Sequence, residues 1–475
     1  MALPNRPGGP QPMTDSEVAE LETAIDQIVA LAKGFGLDFF PMRYEVCPAD
    51  IIYTFGAYGM PNRFSHWSFG KTFHQMKAHY DFGLSKIYEL VINSDPCYAF
   101  LLDTNSLLQN KLIAAHVLAH CDFFKRNARF AGTNRQMVQT MGAFANRVRQ
   151  YEFEHGREPV ERFLDAVLAI QEHIDPHSER GPWGRSGAPA GQGTPTPGTA
   201  ASTGPVRTPS TPYDDLWALD QIGQPAPEAP TQPKREPTRD LLRFLMTHAP
   251  DLADWQREIL SALRAEMLYF RPQMETKIMN EGWASLWHAR IMRALDLSPA
   301  ESLEFAKMHA SVLAPSPYQL NPYHLGYHML LSIEERHGIE ACFEVRELET
   351  DVSFIRNWLT KELCEELDLY LFAKQGDSWQ VTETSWEAVR DGIVKQITNC
   401  GFPYLYAEDD DYQRRRELYV RHAYEGVELD ALYLRKTLPH LHHIWGRPIH
   451  LETIEEGRTV VYTCTGESVE RNAKT

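Results

Sequence analysis

Apolar residues recur along this chain with a helical period over most of its first 350 positions, and with a period nearer two in the last hundred. Thr14 followed by Glu17 reads as a capping box opening a helix to about Lys33, with Ile25, Ile28, Val29 and Leu31 apolar and Gly34 and Gly36 as the stop. The next stretch, from Phe39 to Tyr80, is rich in aromatics and broken by Gly and Pro, which predicts short helices. Two apolar runs, KIYELVIN (Lys86–Asn93) and CYAFLLD (Cys97–Asp103), flank Ser-Asp-Pro and read as strands joined by a tight turn. Thr104 or Asn105 then caps a helix from about Ser106 to Lys125, and helices follow over Gln136–Arg149 and Pro159–Glu172.

Downstream, Thr238 is the expected cap of RDLLRFLMTHA. Helices are predicted over Asp254–Met267, Lys277–Ala294 and Pro299–Leu313, and through NPYHLGYHMLLSIEERHG to Gly338. The tail then changes character. DLYLF, WQVTE, PYLYA, RELYVRHAY, PIHLET and TVVYTC read as strands, and WEAVRDGIVKQITN and LDALYLRKTLPHLHHIW as helices. Between residues 183 and 237 the composition shifts to Gly, Pro, Thr, Ala and Ser, too poor in apolar residues to order itself. The expected organisation is a disordered tail over residues 1–13, a mainly helical core with a small antiparallel sheet over 14–182 and 238–350, a looped-out disordered insertion over 183–237, and a C-terminal α+β domain over 351–475. The fold class is α+β.

Composition narrows the function classes. The net charge of −17 argues against nucleic-acid binding, which needs basic surface. The seven cysteines are scattered without a CxxC, which suits free, mostly buried thiols in a cytoplasmic protein and offers no thiolate zinc site. MALPNRPGGPQPM has no apolar core of a leader, and no apolar run approaches the ~20 residues of a membrane span.

Candidate chemistry sits on two of the predicted helices. His116 and His120 are four apart, so both project from one face and can share a Zn²⁺. On the helix from Lys277, Glu281 and His288 share a face two turns apart, while Trp283 and Trp287 lie on a neighbouring, packing face. A carboxylate and an imidazole so placed can share a metal or a proton; a buried ion pair is the other reading. A second HxxxH, His324 and His328, has no such context. His66, His74 and His79 lie among Phe64, Trp67, Phe69 and Phe73 and read as core. Arg63 and Lys71 read as ion-pair partners, with an anionic substrate as the alternative. Glu408–Asp411 reads as a solvated turn.

A strand–helix pair bearing HxxxH, followed by a helix bearing Asn280-Glu281-Gly282-Trp283-Ala284, resembles the gluzincin metallopeptidases. There HExxH gives two zinc ligands and the NEGxA glutamate a third. The resemblance implies a zincin-like core with His116, His120 and Glu281 as ligands; on the residues themselves, either Glu281 or His288 completes the site with His116 and His120, and the other serves as general base or supports the ligands. Val117 departs from the pattern, since the general-base glutamate belongs there.

A resemblance covering nearly the whole chain is to the SpoVR family, stage V sporulation protein R and its relatives. It is carried by PNRFSHWSFGK (Pro61–Lys71), KIYELVINSDPCYAFLLDTN (Lys86–Asn105), AHVLAHCDFFKRN (Ala115–Asn127), YFRPQMETKIMNEGWASLWH (Tyr269–His288), NPYHLG (Asn321–Gly326) and IWGRPIHLET (Ile444–Thr453). It implies a role in spore cortex formation or, since such proteins also occur in bacteria that form no spores, in stress and stationary-phase physiology. It further implies association with a serine protein kinase and a small companion protein. Two functions are therefore expected to compete: a zinc-dependent hydrolase, and a non-catalytic scaffold or regulatory partner of that kinase system.

Overall fold

Thr14 Oγ1 accepts from the Glu17 amide at 3.3 Å while the Glu17 carboxylate accepts from the Thr14 amide at 2.8 Å, so the capping box starts α1 (Asp15–Gly34). In the computed structural model the described residues are 11–81, 89–177, 236–316, 319–375, 378–466 and 468–473. Most of the expected N-terminal tail and nearly all of the expected insertion lie outside them.

Where only short helices were expected, β1 (Met42–Cys47) precedes α2 (Ala49–Tyr58) and α3 (Trp67–Asp81). β2 (Glu89–Ile92) and β3 (Cys97–Leu102) form the expected antiparallel pair, and β1 adds to β3 in parallel, with Met42 opposite Cys97. The sheet order is β1-β3-β2, so the expected small antiparallel sheet is a mixed one. The parallel step needs a crossover, which α2 and α3 supply. α4 (Leu107–Arg126) follows, capped by Ser106 with Gln109 rather than by Thr104 or Asn105. Then come α5 (Met137–His155) and α6 (Arg157–Leu168).

Beyond the insertion, α7 (Leu241–His248) is capped by Asp240 and not by Thr238, because Thr238 bridges Ala407 instead. The Asp240 carboxylate also holds Arg264 at 2.7 Å. α8 (Asp254–Glu275) outruns its expected end and carries Pro272 within it. The helical series continues as α9 (Lys277–Ala294), α10 (Pro299–Val312), α11 (Pro322–His337), α12 (Ile339–Leu348), α13 (Asp351–Trp358) and α14 (Lys361–Glu366). A hairpin of β4 (Leu371–Gln375) and β5 (Ser378–Glu383) leads to α15 (Trp386–Ile397). The final sheet contains β6 (Leu405–Tyr412), β7 (Glu417–His422), β8 (Ile449–Glu455), β9 (Arg458–Cys464) and β10 (Val469–Ala473), in the order β10-β9-β8-β7-β6. β7 and β8 are parallel, joined across α16 (Ala431–Trp445). β10 was not anticipated, and Glu408–Asp411 belongs to β6 rather than to a turn.

Two large cores organise these elements. One packs Phe163, Leu242 and Leu260 from α6–α8 against Leu418, Val420, Leu441 and Tyr462 of the C-terminal sheet and α16. The other gathers Ile28, Leu118, Trp283, Trp287, Leu330, Phe354 and Val389 from α1, α4, α9, α11, α13 and α15. Elements from both sides of the insertion contribute to each core. The result is a mixed α+β protein, mainly helical, with small sheets.

Candidate metal centre

α4 and α9 meet in the second core. From Ile113 to Phe124 every side chain of α4 is buried, as is every residue of α9 from Gly282 to Ala289. A helix buried on all sides must satisfy its polar side chains internally, and three devices do this around the His116/His120 pair.

The first is a glycine crossing. A Cβ on Gly282 would lie 2.3 Å from the Gly326 carbonyl carbon, and one on Gly326 would lie 2.1 Å from the Ile278 carbonyl oxygen. α9 and α11 therefore touch backbone to backbone, which only glycine permits. The glycines of the NEGWA and NPYHLG motifs have the same explanation. The second is a cap brought from another element. Asp351 accepts from the amides of Ile278 at 2.8 Å and Met279 at 2.9 Å, fixing the start of α9. Burial pushes its carboxyl up to about 7, against the opposing pull of those amides. The third is Asp122 on α4, which accepts from Trp283 Nε1 on α9 at 2.9 Å and pairs with Arg346 at 2.9 Å. Burial pushes Asp122 up to about 6, with Arg346 opposing.

Held this way, Glu281 faces both histidines. Its Oε2 lies 3.6 Å from His116 Nε2 and 3.4 Å from His120 Nε2. One ligand-capable atom from each of the three residues falls within 4.8 Å of the others. Separations of 3.4 and 3.6 Å are too long for good hydrogen bonds, and Glu281 Oε2 is buried without such a partner. They are close to the ~3.4 Å edge of a tetrahedron whose corners lie about 2.0–2.1 Å from a central zinc. Burial would raise the Glu281 carboxyl, but the two facing imidazoles hold it well below its ordinary range. Burial, reinforced by His120, lowers His116 against the pull of Glu281. An ionised Glu281 and a His116 shifted toward the neutral form are the protonation states a metal requires of those two residues.

The far ring nitrogens are also engaged. His120 Nδ1 is 2.9 Å from Asn280 Oδ1. His116 Nδ1 is 2.9 Å from His288 Nδ1, and His288 Nε2 is 2.9 Å from His309 Nδ1 on α10. Two tautomer assignments satisfy the His116–His288–His309 chain, one running toward His309 and one toward His116; the one that suits a metal has His116 and His120 protonated on Nδ1 and His288 on Nε2, donating to His309. In that assignment the Nε2 atoms of both rings turn their lone pairs toward Glu281. Tyr323 stacks on His116 with centroids 6.0 Å apart, and Phe124 stacks on His120 at 6.3 Å.

His116, His120 and Glu281 are thus brought together, while His288 stands behind His116 with both its nitrogens occupied. Sequence reasoning left Asn280 unassigned although it stands in the NEGWA motif, and it missed His309, which has no local signal. Of the histidines read as core, His66 is buried beside Phe69, with Nε2 3.1 Å from Asp165, but His74 and His79 are exposed on α3. Arg63 is the ion-pair partner expected, 2.6 Å from buried Glu266. All seven cysteines are free and five are buried. No helix of the described residues is long and apolar enough to cross a membrane.

Fold and site together define a mainly helical α+β protein with a buried cluster of two histidines and a glutamate between two core helices. The chain belongs to the SpoVR family: residues 15–402 match the SpoVR-like protein family and residues 403–456 its SpoVR-like C-terminal domain. Among curated proteins it is 27% identical over 485 residues to the uncharacterized protein YcgB of Escherichia coli (strain K12), with 93% of each chain covered. No solved structure matches it.

Proposed function

We propose that this SpoVR-family chain holds a zinc ion between His116, His120 and Glu281 and works as a metal-dependent hydrolase on a zincin-like core. The observation that carries the reading is the unpartnered Glu281 Oε2, spaced at 3.4 and 3.6 Å from two imidazole nitrogens whose other sides are already tied. Zinc bound there would supply Lewis-acid activation of a carbonyl group and of water. The protein's part is orientation. Asn280 and His288 fix the ring planes of His120 and His116, Asp351 fixes the start of the helix that carries Glu281, and burial lowers the His116 pKa. His288 is a positioning residue in this arrangement. The scheme in which His288 is itself a ligand, freeing Glu281 as a base, has less support because both His288 nitrogens are engaged. The physiological setting we infer from the family is cytoplasmic, in spore cortex formation or stress and stationary-phase physiology.

A second reading has its own observation. Val117, at the position of a peptidase's general base, is fully buried with Leu21, Ala99 and Leu101 against the mixed sheet. A metal held without a base beside it suits a structural centre in a scaffold or regulatory partner of a serine protein kinase. Elemental analysis of the purified protein tests the metal: about one zinc per chain is expected, lost in His116→Ala/His120→Ala. Complementation of a deletion strain separates the readings. Folded Glu281→Gln fails if the site is catalytic and succeeds if the protein is a scaffold.

A further inference from the structure

Away from the histidine cluster, a cavity of about 720 Å³ opens where the ends of α8 and α9 meet the segments around residues 129, 174–177, 239, 350–352 and 396–404. This is within the roughly 300–1,000 Å³ range of small-molecule sites. Its lining carries more cations than carboxylates. Arg129, Arg239, Arg271 and Lys277 contribute four positive charges, against the carboxylates of Glu275 and Asp351. The whole protein carries −17, so a cationic recess stands out as a place where field lines from an anion converge.

Arg239 is paired with Asp175 at 2.7 Å, which leaves Arg129, Arg271 and Lys277 as the cations to weigh. Asp351 is already committed to the Ile278 and Met279 amides. Glu275 is shared between two guanidiniums, 2.8 Å from Arg271 and 3.6 Å from Arg129. Lys277 is exposed and has no carboxylate partner among the described residues. Arg271 supplies the independent observation. It is only 5% exposed, its Nε is taken by Glu275 and its Nη2 by Asn399, yet Nη1 is buried with no hydrogen-bond partner among the described residues. Arg271, a residue that lines the cavity, thus keeps one buried guanidinium donor without an acceptor. Asn399 and Cys400, also in the wall, both have left-handed backbones, with φ of 52° and 58°. Such conformations in non-glycine residues persist where the surroundings over-determine them. The lining also includes the apolar residues Ile174, Met274, Ile278, Val352 and Ile397.

We propose that this cavity binds a small molecule with a phosphate-type oxyanion head, held by Arg271, Arg129 and Lys277, and an apolar body lying on Met274, Ile278 and Val352. Cations supplied by separate chain segments suit a group with several oxygens better than a planar carboxylate, which one guanidinium fork would take alone. The site is independent of the metal reading, and none of His116, His120 and Glu281 lines it.

Calorimetric titration of the full-length protein at low ionic strength with phenyl phosphate and with inorganic phosphate tests it. One saturable site is expected, tighter for phenyl phosphate than for inorganic phosphate because only the former covers the apolar residues of the lining. Arg129→Met and Lys277→Met, both at residues with solvent access, are each expected to weaken phenyl phosphate binding about tenfold. His116→Ala is expected to leave it unchanged. Absence of saturable binding at millimolar probe, equal binding by the wild type and both cation variants, or loss of binding in His116→Ala would overturn the proposal. The last of these would put the anion at the histidine cluster.

Discussion

His288 is hydrogen-bonded to His116 and His309, and its removal is expected to be felt at the proposed metal site. In the assignment that suits a metal it accepts the proton that fixes His116 in the tautomer with the Nε2 lone pair toward Glu281, and loss of such an outer partner typically weakens metal affinity about 10–100-fold. His288→Ala is therefore expected to need a correspondingly weaker chelator for zinc removal, while His116→Ala abolishes binding; competition with chelators of graded affinity measures both. Gly282 gives the sharpest stability prediction. A methyl group there would meet Gly326 backbone at 2.3 Å, and no side chain can move aside. Gly282→Ala is expected to cost about 3 kcal/mol or more, at or beyond the upper end of ordinary overpacking, as a fall in the urea midpoint. At this scale the cluster was legible where chemistry follows spacing within one helix: His116 with His120, and Glu281 within its motif. His309 was illegible because its role rests on the packing of α10 against α9, a relation between helices that no local pattern encodes.

Among the elements, α9 depends on a cap from outside itself. Its start was legible in the sequence, but its cap was not, since Asp351 lies more than seventy residues away. The cap has a pH signature. The Asp351 carboxyl is pushed up to about 7 in the fold and titrates near ~3.9 in an unfolded chain. Its contribution is fully present below about pH 4 and is lost as pH rises toward about 7, because the folded state binds the proton more tightly. Asp122, pushed up to about 6, acts with the same sign over a narrower window. Histidines such as His116, His288 and His309, whose pKa values burial lowers, act with the opposite sign over the same range, so the cap is read as the difference between wild type and Asp351→Asn in urea stability from pH 5 to 7.5. The wild type is expected to lose on the order of 2–4 kcal/mol relative to Asp351→Asn across the window; equal slopes would refute the assignment. β1 shows a different limit. Met42, Tyr44 and Val46 alternate with Arg43 and Glu45, a period of two present in the sequence but masked by the aromatic stretch that follows. Asp240 displaced Thr238 as a cap because Thr238 is drawn into a bridge with Ala407, a contact made far along the chain.

Across the whole molecule, the family boundary and the packing boundary differ. The family's C-terminal domain begins at residue 403, but Leu418, Val420 and Tyr462 from that segment share one core with Phe163, Leu242 and Leu260. The strands and helices on each side were readable as amphipathic; which apolar face covers which was not, because periodicity marks a face as buried without naming its partner. A chain ending at residue 402 is expected to expose the faces of α6–α8 and to lose the cooperative unfolding of the full protein, with limited proteolysis cutting first in those helices. The glycine crossing has a mechanical consequence. Packed helices ordinarily slide past one another by small rotamer changes in the side chains between them. At Gly282 and Gly326 α9 and α11 have no such layer, so shear at this crossing has nothing to move through. α9 and α11 therefore shift as one unit, and an opening of the site by helix motion would be a displacement of α4 relative to that locked pair.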